Sequence, residues 1–292
     1  MLDIPKLLRL LGISQSELMH LTENVDKYYY LKSNPKLNKK TGEQLIDKNG
    51  KPRTRDLYPS INLLKIVQQR IYKNILKSIK LPAYAFGGIA KRDNILNAKM
   101  HQGNKFFFNT DLRNFYPGIR NTQVFEMFVS RNISPTIARI LTKLTTYKGM
   151  LPQGTPTSPY IANLVFVKAG SALQALCKVH KLTLTTFVDD ITISSKTDFQ
   201  FLVNDFIELI QSKGFKISHD KTFYNTYKPK VTNIIVKNNG LYLAESYKKK
   251  IDEFDDKSTP KAKGTINYYE RVRKISKIKS AKIKQGITTK KT

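Results

Sequence analysis

Between Leu182 and Ser195 the chain is dense in Thr, Val and Ile, and two adjacent acids, Asp189 and Asp190, stand in the middle of that run. β-Branched residues at this density favour strands, and charge avoids strand interiors, so the acids belong where the chain turns. The run therefore predicts a β-hairpin with Val188-Asp189-Asp190-Ile191 at its tip. Neighbouring residues of an extended chain face opposite ways, so both carboxylates can reach one ion only from a turn. Taken alone, the pair reads first as a solvated hairpin tip, where Asp is a common turn residue, and only second as a ligand pair.

A third acid narrows the choice. Lys105–Asp111 is aromatic and apolar and predicts a buried strand that ends on Asp111, with Asn114 and Pro117-Gly118 marking the turn after it. By itself Asp111 is a turn or cap acid. With the hairpin pair it makes three hard oxygen ligands on separate strands, a set that suits Mg²⁺. Two such ions, about 3.5–4 Å apart, can activate a 3′-hydroxyl and stabilise a leaving pyrophosphate. Charge points the same way. The chain has 51 Lys plus Arg against 22 Asp plus Glu, a net of +29. That excess repels itself unless a polyanion offsets it, and nucleic acid is the leading candidate. An anionic membrane surface is the lesser one, since neither terminus carries a basic amphipathic segment with a strong apolar face. Nucleotidyl transfer is the chemistry that joins the acids to the charge, which also favours developing negative charge on a phosphoryl group.

The 292 residues can bury one extended multi-lobed domain or two small ones. A helical pair opens the chain: Pro5 starts the first helix, Gly12 ends it, and Ser14 with Glu17 forms a capping box for the second. Residues 32–56 are a polar, turn-rich basic hairpin containing Lys39-Lys40-Thr41-Gly42 and Lys48-Asn49-Gly50-Lys51-Pro52. Leu63, Leu64, Val67, Ile71, Ile75 and Ile79 have helical spacing. Asn121–Leu144 is helical in two pieces, broken near Ser134-Pro135, and a loop at 148–159 leads into a helix over 160–180. Phe199–Lys213 is a further helix, while Phe215–Phe223 and Val231–Leu243 are strands. The last 45 residues are rich in Lys, with Gly286–Thr292 expected as a frayed tail. Cys177 is the one cysteine and is expected in the core. No apolar run is expected to approach the roughly 18 residues of a membrane span, and the first residues lack the regions of a secretory signal. The expected location is the cytoplasm, with no membrane partner.

Several stretches resemble bacterial reverse transcriptases. Phe108-Asn109-Thr110-Asp111-Leu112-Arg113-Asn114-Phe115-Tyr116-Pro117-Gly118-Ile119 is similar to their first catalytic motif, and Phe187-Val188-Asp189-Asp190 to their Tyr-x-Asp-Asp box. Leu151-Pro152-Gln153-Gly154-Thr155-Pro156 resembles the Pro-Gln-Gly loop, and Gly214-Phe215-Lys216-Ile217 followed by Lys221-Thr222 the next motif. The resemblance covers roughly residues 50–245, with order and spacing kept. It implies catalytic Asp111, Asp189 and Asp190, two Mg²⁺ ions held by these acids and the Leu112 carbonyl, and Tyr116 as a gate against the sugar 2′-hydroxyl. It further implies that Arg53, Arg55, Gln153, Gly154 and Lys221 contact the incoming dNTP. Phe187 and Val188 stand where Tyr and Ala are commonest, which leaves the carboxylates intact.

Asn97-Ala98-Lys99-Met100-His101 is similar to the Asn-Ala-x-x-His element of retron reverse transcriptases. Val231-Thr232-Asn233 aligns with their Val-Thr-Gly element, with Asn for Gly, and Gly264-Thr265-Ile266-Asn267-Tyr268-Tyr269 resembles their thumb. By this likeness Asn97, His101, Val231, Thr232 and Asn233 contact RNA. The fold implied is α+β, a right-hand polymerase whose antiparallel palm sheet packs on helices. Its N-terminal helices and fingers would occupy 1–105, an interleaved palm 106–245, and a basic thumb and tail 246–292. A retron enzyme would copy a structured noncoding RNA into branched single-stranded DNA, priming from a guanosine 2′-hydroxyl, and act in anti-phage defence with an effector protein. A non-retron defence-associated or group II intron-like reverse transcriptase would carry the same motifs. A catalytically silent RNA-binding scaffold would be marked by a lost carboxylate, and all three are present.

Overall fold

A computed structural model describes residues 2–38, 41–47 and 49–277. Lys39, Lys40 and Lys48 of the basic hairpin and the tail Gly286–Thr292 lie outside the described residues. The chain begins with helices α1 (Ile4–Leu11) and α2 (Gln15–Glu23), strands β1 (Lys32–Pro35) and β2 (Thr54–Leu57), and helix α3 (Asn62–Asn74). Helix α4 (Asn94–Met100) and strand β3 (Phe106–Asp111) follow, then helices α5 (Phe115–Gly118), α6 (Asn121–Val129), α7 (Pro135–Thr145) and α8 (Ser158–Val179). Strands β4 (Thr183–Phe187) and β5 (Asp190–Ser195) precede helix α9 (Val203–Ser212) and strand β6 (Phe223–Asn225). The remainder is β7 (Lys230–Val231), β8 (Ile234–Val236), β9 (Leu241–Tyr242), α10 (Glu245–Asp252) and α11 (Pro260–Lys277).

Two compact units result: the chain up to Lys80 together with Asn114–Val165, and Leu81–Arg113 together with the chain from Phe166 onward. In the first, the capping signals act as their residue types dictate. Asp3 accepts the Lys6 N–H, Gly12 closes α1 with φ +61°, and Ser14 and Glu17 complete the capping box of α2. Arg70 of α3 donates to the carbonyls of Leu11 and Gly12, and Leu7, Leu11, Leu64, Val67 and Ile71 bury fully. Gln68 is buried without loss, because Ser60, Tyr29 and the Leu144 carbonyl satisfy it. Strands β1 and β2 pair antiparallel, and α6 and α7 are the expected two helices either side of Ser134-Pro135.

The second unit is built on a four-stranded antiparallel sheet of order β4-β5-β3-β6. Phe107 and Phe108, neighbours in β3, point to opposite faces and both are fully buried. Phe108 meets Phe206 of α9, ring centroids 5.7 Å apart. Phe107 joins Ile95 and Ala98 of α4, Val231, Ile234, Val236 and Leu241, and Val272 and Ile275 of α11 in one cluster. The sheet thus packs on both faces, because the C-terminal strands and α11 supply a second apolar surface beside that of α9. Val231–Leu243 is not one strand. Thr232 and Asn233 have φ +46° and +69°, and the chain folds there into the meander β7-β8-β9.

Helix α8 is long and apolar enough by length and composition to cross a membrane, although Lys168 interrupts it. Of its most apolar window 61% is buried within the protein, as in a core helix. Cys177 lies there fully buried, its thiol pKa pushed up to about 12 by burial.

Candidate active site

The strand order puts the β4–β5 hairpin tip beside the end of β3. Asp111 and Asp190 are partners in the antiparallel register, a relation that holds two Cα atoms about 4.5–5.5 Å apart. Phe187 pairs with Asp190, leaving Val188 and Asp189 as a two-residue loop. The Asp189 carbonyl accepts the Leu112 N–H at 2.9 Å, so the backbones of all three acids are tied together. In this loop Val188 has φ +59°. A positive φ at the first of two central residues belongs to turns that favour glycine there. A β-branched side chain in that conformation costs on the order of 1–3 kcal/mol and persists only where its surroundings impose it.

Asp111 is 9% exposed, and its Oδ1 accepts from Ser218 Oγ at 3.0 Å and from the Lys221 ammonium at 2.9 Å. The segment that supplies these groups is not the continuous strand expected over Phe215–Phe223. Ile217 bridges Leu112, the Ser218 N–H donates to the Asp111 carbonyl, and a 3-10 turn over His219–Lys221 bends the chain before β6 begins. The bend is what aims Lys221 at the carboxylate. Ser218 carried no signal in the sequence, since a serine in a basic, apolar stretch matches no ligand pattern.

Among the described residues no three His, Cys, Asp or Glu groups gather closely enough to hold a metal ion. The Asp111 oxygen turns instead to a hydroxyl and an ammonium. The donor set still fits Mg²⁺: hard carboxylate oxygens at the ends of hydrogen-bonded strands, already drawing a cation to Asp111, with Leu112 fixed beside Asp189.

In the first unit, Arg53 and Arg55 are exposed at β2, whose partner is β1. The Tyr58 N–H donates to the Gln153 carbonyl at 2.7 Å. Gly154, with φ +106°, sits where an added Cβ would lie 3.5 Å from both Leu57 and Pro59. The stem of the arginine hairpin and the Pro-Gln-Gly loop are therefore packed together. Tyr116 is half-buried in α5 with its ring 5.8 Å from that of Phe115.

The residues expected to contact RNA divide. Asn97 and His101 of the α4 segment and Val231 are 1%, 0% and 0% exposed, so their side chains face protein. His101 hydrogen-bonds Ser194 Oγ at 2.6 Å and Thr185 Oγ1 at 2.7 Å, tying β5 and β4 together behind the hairpin. Burial against the sheet is the physical reason these three do not present an RNA surface here. Thr232 and Asn233 differ: they form the β7–β8 turn, with Asn233 exposed.

Comparison with known proteins agrees with the geometry. The family described as reverse transcriptase (RNA-dependent DNA polymerase) matches residues 45–250. The chain is 32% identical over 210 residues to the retron Ec86 reverse transcriptase of Escherichia coli, covering 70% of this chain and 65% of that protein. It is 30% identical over 249 residues to the retron Se72 reverse transcriptase of Salmonella heidelberg, covering 80% and 62%. To the retron Mx162 reverse transcriptase of Myxococcus xanthus the identity is 26% over 189 residues, covering 54% and 39%. The matches thus span less than two thirds of the length of these curated relatives. The chain belongs to the reverse transcriptase (RNA-dependent DNA polymerase) family, and its similarity there runs to retron-type members.

Proposed function

We propose that this chain is an RNA-directed DNA polymerase, and that its natural template is a structured noncoding RNA copied into branched single-stranded DNA. The observation that carries the reading is the register of Asp111 with Asp190, closed by the Leu112–Asp189 hydrogen bond. It ties the three acids of the family motif into one hydrogen-bonded backbone frame. Two Mg²⁺ ions, held by Asp111, Asp189, Asp190 and the Leu112 carbonyl, would activate the primer hydroxyl and neutralise the leaving pyrophosphate. Lys221, already paired with Asp111, offers an ammonium for the triphosphate. Arg53, Arg55, Gln153 and Gly154 are assigned to the incoming dNTP, Tyr116 to exclusion of its 2′-hydroxyl, and Thr232 and Asn233 to RNA. The fingers, palm and thumb are taken as 1–105, 106–245 and 246–292. A cytoplasmic location and a role in anti-phage defence with an effector protein belong to the same proposal.

Primer extension on an RNA template with Mg²⁺ and dNTPs tests the reading. Wild type is expected to make DNA, and Asp189→Asn/Asp190→Asn none. No synthesis by wild type on added primers or on RNA that copurifies with it would sink the proposal and leave an RNA-binding scaffold.

A further inference from the structure

The turn that holds Val188 at its strained φ is packed against the segment Tyr84–Gly87. Tyr84 and Phe86 exchange backbone hydrogen bonds with Thr186 of β4, each 2.8 Å, and Ala85 makes a parallel bridge to the same residue. The segment is pinned from behind. Phe86 is fully buried with the Arg92 guanidinium 5.8 Å from its ring centroid, and Arg92 also donates to the carbonyls of Pro82 and Ala85. Tyr84 packs on Gly170 of α8 so closely that a side chain at position 170 would overlap its hydroxyl. Gly87 then meets the turn. A Cβ there would stand 2.5 Å from Val188 Cγ2, 2.6 Å from the Val188 nitrogen and 2.8 Å from the Phe187 carbonyl carbon. All three are shorter than the 3.0 Å below which real Cβ atoms are essentially never found. Two are backbone atoms, so no rotamer change relieves them.

We infer that Gly87 is a positioning residue for the acidic hairpin: its missing side chain lets the Tyr84–Gly87 segment abut the Val188 turn and set where Asp189 and Asp190 stand. The inference rests on the polymerase reading above. The φ of Gly87 itself is not left-handed, so alanine at this position costs contact and not backbone strain. With the segment pinned by Thr186, Arg92 and Gly170, the turn is what yields to an added methyl. Displacing it moves both hairpin acids relative to Asp111, which β3 and Ser218 hold in place. Supporting groups around metal ligands are worth about 10–100-fold in metal affinity or activity, and a displaced turn is expected to act on that scale.

The test uses the full chain as wild type, Gly87→Ala, Val188→Gly and the double variant. The readouts are kcat and KM for dNTP incorporation on an RNA template, RNA affinity, Mn²⁺ affinity of the nucleotide-free protein by electron paramagnetic resonance, and the thermal midpoint. Gly87→Ala is expected to lower kcat and Mn²⁺ affinity by about 10–100-fold, with RNA affinity unchanged. Val188→Gly removes the closest contact and the cost of a β-branched residue at positive φ, while the two backbone contacts remain, so in that background Gly87→Ala should cost measurably less than in wild type. Residues in contact couple in this way and distant ones do not. Gly87→Ala with wild-type kcat and Mn²⁺ affinity would overturn the proposal. So would equal losses in both backgrounds, including a lowered midpoint that Val188→Gly leaves untouched, since the damage would then lie elsewhere. Wild-type protein that binds Mn²⁺ but polymerises nothing would fail the functional reading alone, and the Mn²⁺ cycle would still decide Gly87.

Discussion

One oxygen of Asp111 is shared between a hydroxyl and an ammonium, and the lysine that supplies the ammonium is 58% exposed. An ion pair so open to water contributes about 0–1 kcal/mol to stability, so the bent segment that delivers Lys221 is better explained by chemistry than by folding. Lys221→Ala is expected to leave urea unfolding within about 1 kcal/mol of wild type. It should slow single-nucleotide incorporation about 10²-fold, the lower end of what a positioned proton donor or charge contributes. Lys221→Arg should recover a KM defect if the charge binds triphosphate, but not a kcat defect if the proton is what matters. Incorporation unchanged in Lys221→Ala would return it to the rank of surface lysines. At this scale the three acids were legible because charge inside a β-branched run and at the end of an aromatic strand contradicts ordinary burial. Ser218 and Gly87 were not. Their roles are contacts made across long stretches of chain, Ser218 to Asp111 and Gly87 to Val188, and neither breaks a local pattern. The positive φ of Val188 was hidden for the opposite reason, since valine is the last residue type from which such a turn is inferred.

Helix α4 shows what an element conceals. At seven residues it is too short for periodicity to report a face, and its polar residues, Asn97, Lys99 and the capping His101, look like surface. All are buried. Lys99 donates to the Ser276 carbonyl of α11 at 2.7 Å and to Gln102 at 2.5 Å, and burial holds its ammonium pKa below the usual lysine range. Asp93 pairs with Arg271, and Asn94 donates to the Tyr268 hydroxyl, so the N-terminal end of α4 also grips α11. His101 grips the hairpin strands. Asn-Ala-x-x-His therefore ties the C-terminal helix to the sheet that carries the acids. His101→Ala would take a buried partner from the Thr185 hydroxyl, leave Ser194 with its Asn104 hydrogen bond, and open a cavity. A loss of about 2–5 kcal/mol is expected in urea unfolding, with RNA affinity per folded molecule unchanged. A variant as stable as wild type but weaker on RNA would restore His101 to the RNA surface. The strand and helix order in general was readable because strand runs and capping signals are local. The split of Val231–Leu243 into three strands was not, because it depends on Thr232 and Asn233 accepting left-handed conformations.

For the whole molecule, the net charge of +29 sets two responses to salt that run in opposite directions. In the free protein like charges are held together by folding, and added salt screens them over a Debye length of about 10 Å at 0.1 M. Raising salt should therefore raise the thermal midpoint of the protein alone. In the complex the same cations displace counterions from phosphates, so log affinity falls linearly with log salt, by about 0.7 per phosphate neutralised on a single strand and 0.9 on a B-form DNA duplex. A surface making six to ten such contacts loses roughly 10³–10⁵ in affinity between 50 and 200 mM salt. The pair of measurements separates a surface that tracks a phosphate backbone from charges that only repel one another, for which the stabilisation alone would suffice. A protein stabilised by salt whose RNA affinity is flat would have its lysines spread too thinly to track a backbone. Steep salt dependence on RNA that persists in Asp189→Asn/Asp190→Asn would show the polyanion-binding surface to be separable from the acids.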